Sequence, residues 1–137
     1  MMTVRSLLIV TALFEATTGL ALVIAPSALA VVLLGAPLDA PAAMAVGRVA
    51  GAALIALGVA CWLARDDAAS RAARGLVGAM LLYNVAVPVL VIQARLGSGL
   101  SGVAFWPVLL VHGAAAVWCF GCLAPRRASS PRELPPR

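Results

Sequence analysis

Along this chain apolar residues do not alternate with polar ones. They run on for about twenty positions, stop, and start again. Four such runs stand out, at about residues 4 to 25, 42 to 64, 74 to 95 and 102 to 124. Each is close to the roughly 20 residues that a helical membrane crossing requires. Hydrocarbon obliges the backbone to satisfy its own hydrogen bonds, and no alternating barrel-type pattern is present, so each run predicts a helix. The expected fold is all-α: an integral membrane four-helix bundle over residues 1–125, followed by a polar, Pro- and Arg-rich tail over 126–137 that reads as disordered.

Between the first two runs lies "SALAVVLLGAPLDAP", residues 27 to 41. It is too apolar for an open loop and too short to cross. A short interfacial helix from about Ser27 to Leu34 is expected, ended by Gly35, Pro37 and Pro41, and placed as a lid over the bundle mouth. Within the second run Gly47, Gly51 and Gly58 recur at spacings of four and seven, the small-residue pattern that lets helix backbones approach. Gly75, Gly78 and Ala79 suggest the same device in the third run. Pro88 removes the helical donor for the Asn84 carbonyl, so a kink is expected there.

Composition agrees with the pattern: of 137 residues, 64% are hydrophobic and 11% charged, with a mean hydropathy of +1.07. A soluble domain of this size needs a polar exterior, whereas a bilayer accepts an apolar one. The net charge of +5 comes from ten Arg and no Lys against five acidic residues. These Arg residues flank the apolar runs without interleaved aromatics, which argues against a nucleic-acid partner. Arg5, Arg65, Arg71, Arg74, Arg126, Arg127, Arg132 and Arg137 fall on one side of the expected topology and Arg95 on the other. The positive-inside rule then places both termini in the cytoplasm of a multi-pass protein of the bacterial inner membrane. Trp62 and Trp118 at one end and Trp106 at the other fit interfacial belts. Ala28 to Ala30 imitates a signal-peptidase site. The run before it is longer than an ordinary signal core, however, and Glu15 interrupts it.

Glu15 is the residue that most needs explaining. Counted along the helices, it lies about as deep as Asn84 in the third run and His112 in the fourth, with Arg48 six residues inside the second. A central charge costs roughly 2.5–3.5 kcal/mol on insertion scales, and a carboxylate–guanidinium pair removes much of that cost. Glu15 is therefore expected to face inward as the counter-charge of Arg48, with His112, Asn84, Tyr83 and Thr18 completing a buried polar cluster. Such a cluster is either structural glue or a proton, ion or ligand site, and His112 brings a group that titrates near neutral pH. Cys61, Cys119 and Cys122 lie at one similar depth. Without a complete ligand set they read as packing residues, with metal or redox work the weaker alternative. No phosphate loop, zinc-protease motif or nucleophile elbow is present, and no cofactor is indicated.

The combination of "FEATTGLAL", "GRVAGAALIALGVACWLAR", "YN" in the third run and "WP" followed by His112 in the fourth resembles a group of small, uncharacterised four-span bacterial membrane proteins, loosely DoxX-like. The resemblance covers about residues 7 to 124. It implies a compact four-helix membrane bundle and marks Glu15, Arg48, Asn84 and His112 as recurrent positions. Some proteins under that label are associated with quinone-linked sulfur oxidation; no motif here carries that activity. Three readings remain: a bundle that binds a small amphipathic molecule such as a quinone or lipid, a membrane redox enzyme or subunit, and an accessory protein of a homo-oligomer or larger membrane complex. The first is favoured.

Overall fold

The computed structural model describes residues 3–124; the expected tail at 126–137 lies outside them. The elements are α1 (Val4–Ile24), α2 (Pro26–Leu34), α3 (Pro41–Ala64), a single 3-10 turn (Arg65–Asp67), α4 (Arg71–Ser98) and α5 (Phe105–Leu123). Among the described residues, α1, α3 with its 3-10 turn, α4 and α5 are long and apolar enough to cross a bilayer, which is the build of a multi-pass membrane protein.

Local chemistry sets the ends of these helices. The Thr3 and Ser70 hydroxyls accept from the Ser6 and Ala73 backbone N–H groups, capping α1 and α4. Pro26 separates α1 from α2, because the residue before a proline is pushed out of the helical region and Ala25 adopts φ −138°, ψ 62°. Gly35 and Gly99 end α2 and α4 in the left-handed conformation, with φ of 76° and 68°. The expected interfacial helix is thus present as α2, one residue longer than the sequence suggested.

Helix α1 packs chiefly on α3, and α4 on α5, each pair antiparallel. The α1–α3 seam is built on small residues. A Cβ on Gly19 would sit 2.6 Å from the Gly51 carbonyl oxygen, and one on Gly58 2.9 Å from that of Ala12, so any larger residue forces the helices apart. Gly47 completes the expected stripe by receiving Pro26 and Leu38 rather than α1. Gly75 and Gly78 do not act as the sequence suggested. Nothing lies within 4 Å of a Cβ built on either, so they are no close-packing face. Helix α4 continues unbroken through Pro88.

The densest packing lies toward the end where α1 begins, called here the Arg5 end. Leu7, Leu8, Ala12, Cys61, Ala73, Val77, Met80 and Cys119 form one buried cluster there. Arg5 pairs with Asp66 at 3.2 Å, and Arg65 pairs with the same carboxylate at 3.2 Å. The Arg65 guanidinium also stacks 4.0 Å from the Trp62 ring centroid. Trp62 and Trp106 are exposed as a belt requires. Trp118 is instead packed against the core, with its indole Nε1 buried and unpartnered.

Candidate functional site: a roofed cavity with a polar floor

Toward the opposite end, called here the α2 end, the bundle is hollow. A cavity of about 430 Å³ lies between α1, α3, α4 and α5, and α2 covers it. Its apolar walls come from residues such as Leu22, Leu29, Leu54 and Val108, while Thr18, Tyr83 and His112 bring polar atoms to it. That volume falls within the range of pockets that enclose small organic molecules.

The roof is held by main chain. The Gly102 N–H donates to the Leu33 carbonyl at 3.0 Å and the Ala104 N–H to the Val32 carbonyl at 2.9 Å, so the loop between α4 and α5 takes up carbonyls that the last turn of α2 leaves free. This approach requires Gly102, where a Cβ would run into the Val32 carbonyl oxygen. At the other end of α2 the Ser27 hydroxyl accepts from the Leu38 N–H at 3.0 Å. Beside the latch, Arg95 donates to the Ser101 hydroxyl at 2.6 Å and lies over the Phe105 ring.

The expected meeting of Asn84 and His112 is present. His112 Nδ1 lies 2.8 Å from Asn84 Oδ1, and Asn84 Nδ2 donates to the Met80 carbonyl at 2.8 Å. A carbonyl oxygen only accepts, so the Met80 bond fixes which way the Asn84 amide points. Oδ1 must then receive a hydrogen from His112 Nδ1. In the neutral ring this leaves the lone pair on Nε2, which has no protein partner among the described residues. Tyr83 and Phe14 meet the imidazole edge to face, at centroid distances of 5.6 and 6.3 Å, and hold its plane. The result is a fixed acceptor in an apolar chamber.

Glu15 is buried at 3% exposure, beside Asn84 at 4% and His112 at 6% in the same class. It does not pair with Arg48, and the expected ion pair must be withdrawn. The antiparallel register of the seam sets Gly51 against Leu22 and Val23, and Gly19 against Ile55. Arg48 is therefore level with the last turn of α1, while Glu15 is level with Ile55 or beyond. Seven residues (48 to 55) at 1.5 Å each separate them by about 10 Å along the axis. Arg48 is moreover exposed, with no ion-pair partner among the described residues. Of the five residues expected in the cluster, Tyr83, Asn84 and His112 lie together, Glu15 is buried one residue from Phe14, which meets the same imidazole, and Arg48 stands apart.

No family model, curated protein or solved structure matches this chain.

The thiols occupy the packed half. Cys61 and Cys119 are fully buried in the core cluster and Cys122 packs against it. Among the described residues no three His, Cys, Asp or Glu side chains converge as metal ligands. Sequence reasoning did not find Phe14, Leu22, Leu54 or Val108 as site residues. Phe14, Thr18 and Leu22 did carry a signal: they follow at steps of four and share one face of α1.

Proposed function

We propose that this chain is a multi-pass protein of the bacterial inner membrane, with both termini cytoplasmic, that binds one small neutral amphiphile, a quinone or a lipid, beneath α2. The observation that carries this reading is the roofed cavity with a hydrogen-bonding floor. Its lining has no charged side chain among the described residues, so an ionic headgroup would be left without a counter-charge. A hydroxyl-bearing head finds the His112 lone pair as acceptor, and a carbonyl-bearing head finds the Tyr83 and Thr18 hydroxyls as donors. The apolar remainder replaces contacts that the leucine-rich walls now lack. The orientation follows from the Arg residues, with Arg5, Arg65, Arg71 and Arg74 at one end of the described bundle and Arg95 at the other.

Native mass spectrometry of gently solubilised protein tests this directly. One neutral amphiphile per chain is expected, retained in Cys122→Ala and lost in Val108→Trp, where an indole fills the cavity. A stoichiometric metal or visible chromophore would move the assignment to a redox subunit. A stoichiometric protein partner with an empty cavity would move it to an accessory role.

A further inference from the structure

Glu15 has no part in the binding just described, yet it is the most costly side chain in the bundle to bury. Among the described residues it has neither a hydrogen-bond nor an ion-pair partner, although it is 3% exposed. Trp118 Nε1 is the sole unpartnered side-chain atom among the described residues that is sealed completely. The Glu15 oxygens therefore keep a sliver of open space in front of them. Glu15 is not itself part of the cavity lining, but Phe14, one residue before it, and Thr18, one helical turn after it, both are, so the carboxylate sits just behind the cavity wall. Tyr83, the ring neighbour of His112, lines it as well.

We propose that Glu15 is a proton-binding site beside the cavity, and that filling the cavity with an apolar ligand is coupled to uptake of one proton by Glu15. The coupling rests on the amphiphile reading above; the proton site does not. The groups around Glu15 leave the proton as the partner of choice. The buried or half-buried polar and titratable groups of the other long helices are the Cys61 thiol on α3, the Tyr83 phenol and Asn84 amide on α4, and the His112 imidazole and Cys119 and Cys122 thiols on α5. Helix α2 brings no titratable side chain, and Arg48 is remote. Asn84 gives one amide hydrogen to Met80 and its Oδ1 to His112, and no hydrogen bond joins it to Glu15.

With the cavity open, water in it lies against Phe14 and Thr18 and lowers the cost of the carboxylate charge behind them. An apolar ligand expels that water and leaves a bare charge in a low-dielectric surrounding, which a proton from bulk water neutralises: carboxylate plus H⁺ gives carboxylic acid, with no other bond changed. Linkage makes the effect reciprocal. If ligand binding takes up a proton, lowering the pH tightens ligand binding by the same factor.

The experiment uses the full chain in lipid nanodiscs with decylubiquinone as a neutral probe, and reads quenching of intrinsic tryptophan fluorescence between pH 6 and 8. Affinity is expected to rise about fivefold or more from pH 8 to pH 6, the lower end of ordinary coupling. Glu15→Gln should bind tightly at both pH values with no slope. A slope that persists in Glu15→Gln belongs to His112 and overturns the coupling. In parallel, apolar dicyclohexylcarbodiimide, which attacks protonated carboxyls, is expected to label Glu15 faster as the pH falls, and to leave the exposed Asp39, Asp66 and Asp67 unlabelled. No adduct on Glu15 overturns the proton site. Labelling of Glu15 without probe binding at any pH overturns the amphiphile reading and the coupling together, while the proton site stands.

Discussion

The Arg5 end and the α2 end of this bundle are made from the same helices and nearly the same residue types, yet one is solid and the other hollow. At the Arg5 end, Leu7, Leu8, Val77 and Met80 close around Cys61 and Cys119, leaving each of them almost no exposed surface. At the α2 end, leucines of similar size line about 430 Å³ of open space. Hydrophobicity does not separate the two halves. The α1–α3 glycine seam runs through both; what differs is what is added to it, side-chain packing in the first, a backbone latch and one histidine–asparagine bond in the second. Close packing is thus given up where α2 roofs the gap.

The sharpest test is one truncation made in both halves. Leu8→Ala should cost about 2–5 kcal/mol, because a fully buried side chain leaves a void that its neighbours cannot fill. Leu54→Ala, which only widens an existing cavity, should cost under about 1 kcal/mol, since that side chain already lacks contacts on one side. Equilibrium unfolding in mixed micelles measures both, and equal losses would erase the distinction between the halves. Next in size is Asn84→Leu. It strips His112 Nδ1 of its acceptor and should cost about 1–3 kcal/mol, the penalty of a buried unsatisfied donor. The double variant Asn84→Leu with His112→Leu should lose less than the sum of the two single changes.

Filling the hollow half should have a small effect on stability and a complete one on binding. Val108→Trp is expected to unfold within about 1.5 kcal/mol of the wild type, since hydrophobic additions are well tolerated where volume is free. Its native mass spectrum should lack the amphiphile. A loss as large as that of Leu8→Ala would show that the cavity closes in solution. The smallest effect concerns Glu15 and Arg48. With Glu15 buried, Arg48 exposed and about 10 Å between them along the axis, Glu15→Gln and Arg48→Gln should add to within about 0.5 kcal/mol in a double-mutant cycle. A coupling above 1 kcal/mol would restore the ion pair that the register excludes.

The four spans and α2 were legible because run length, proline and glycine act locally. The Asn84–His112 contact was legible because two polar residues at matched depth in adjoining helices have few other places to go. Arg48 was misread for a definite reason. Counting depth along each helix fixes neither the axial offset between helices nor the direction around each one, and both depend on where small residues allow contact. Gly19, unremarked in "TTGLAL", sets that offset with Gly51, whereas Gly75 and Gly78, spaced almost as suggestively, touch nothing. The cavity walls were illegible for another reason. In a membrane protein, a leucine facing a cavity and a leucine facing lipid carry the same apolar signature, so no polarity contrast marks Leu54 or Val108.

The backbone latch between α2 and the α4–α5 loop also gives the site a history. The Leu33 carbonyl finds its partner when Gly102 is made, and Gly102 is 68 residues beyond Leu34, the end of α2 (102 − 34). At roughly 5–20 residues per second, a growing chain spends about 3–14 s with α2 complete and its last carbonyls unbound. The chamber is thus among the last parts of the molecule to be enclosed. A ribosome stalled before Gly102 presents a nascent α2 tied to the rest of the chain at the Ser27 end alone, and limited proteolysis of such stalled chains should cut within α2 at sites that the finished protein protects.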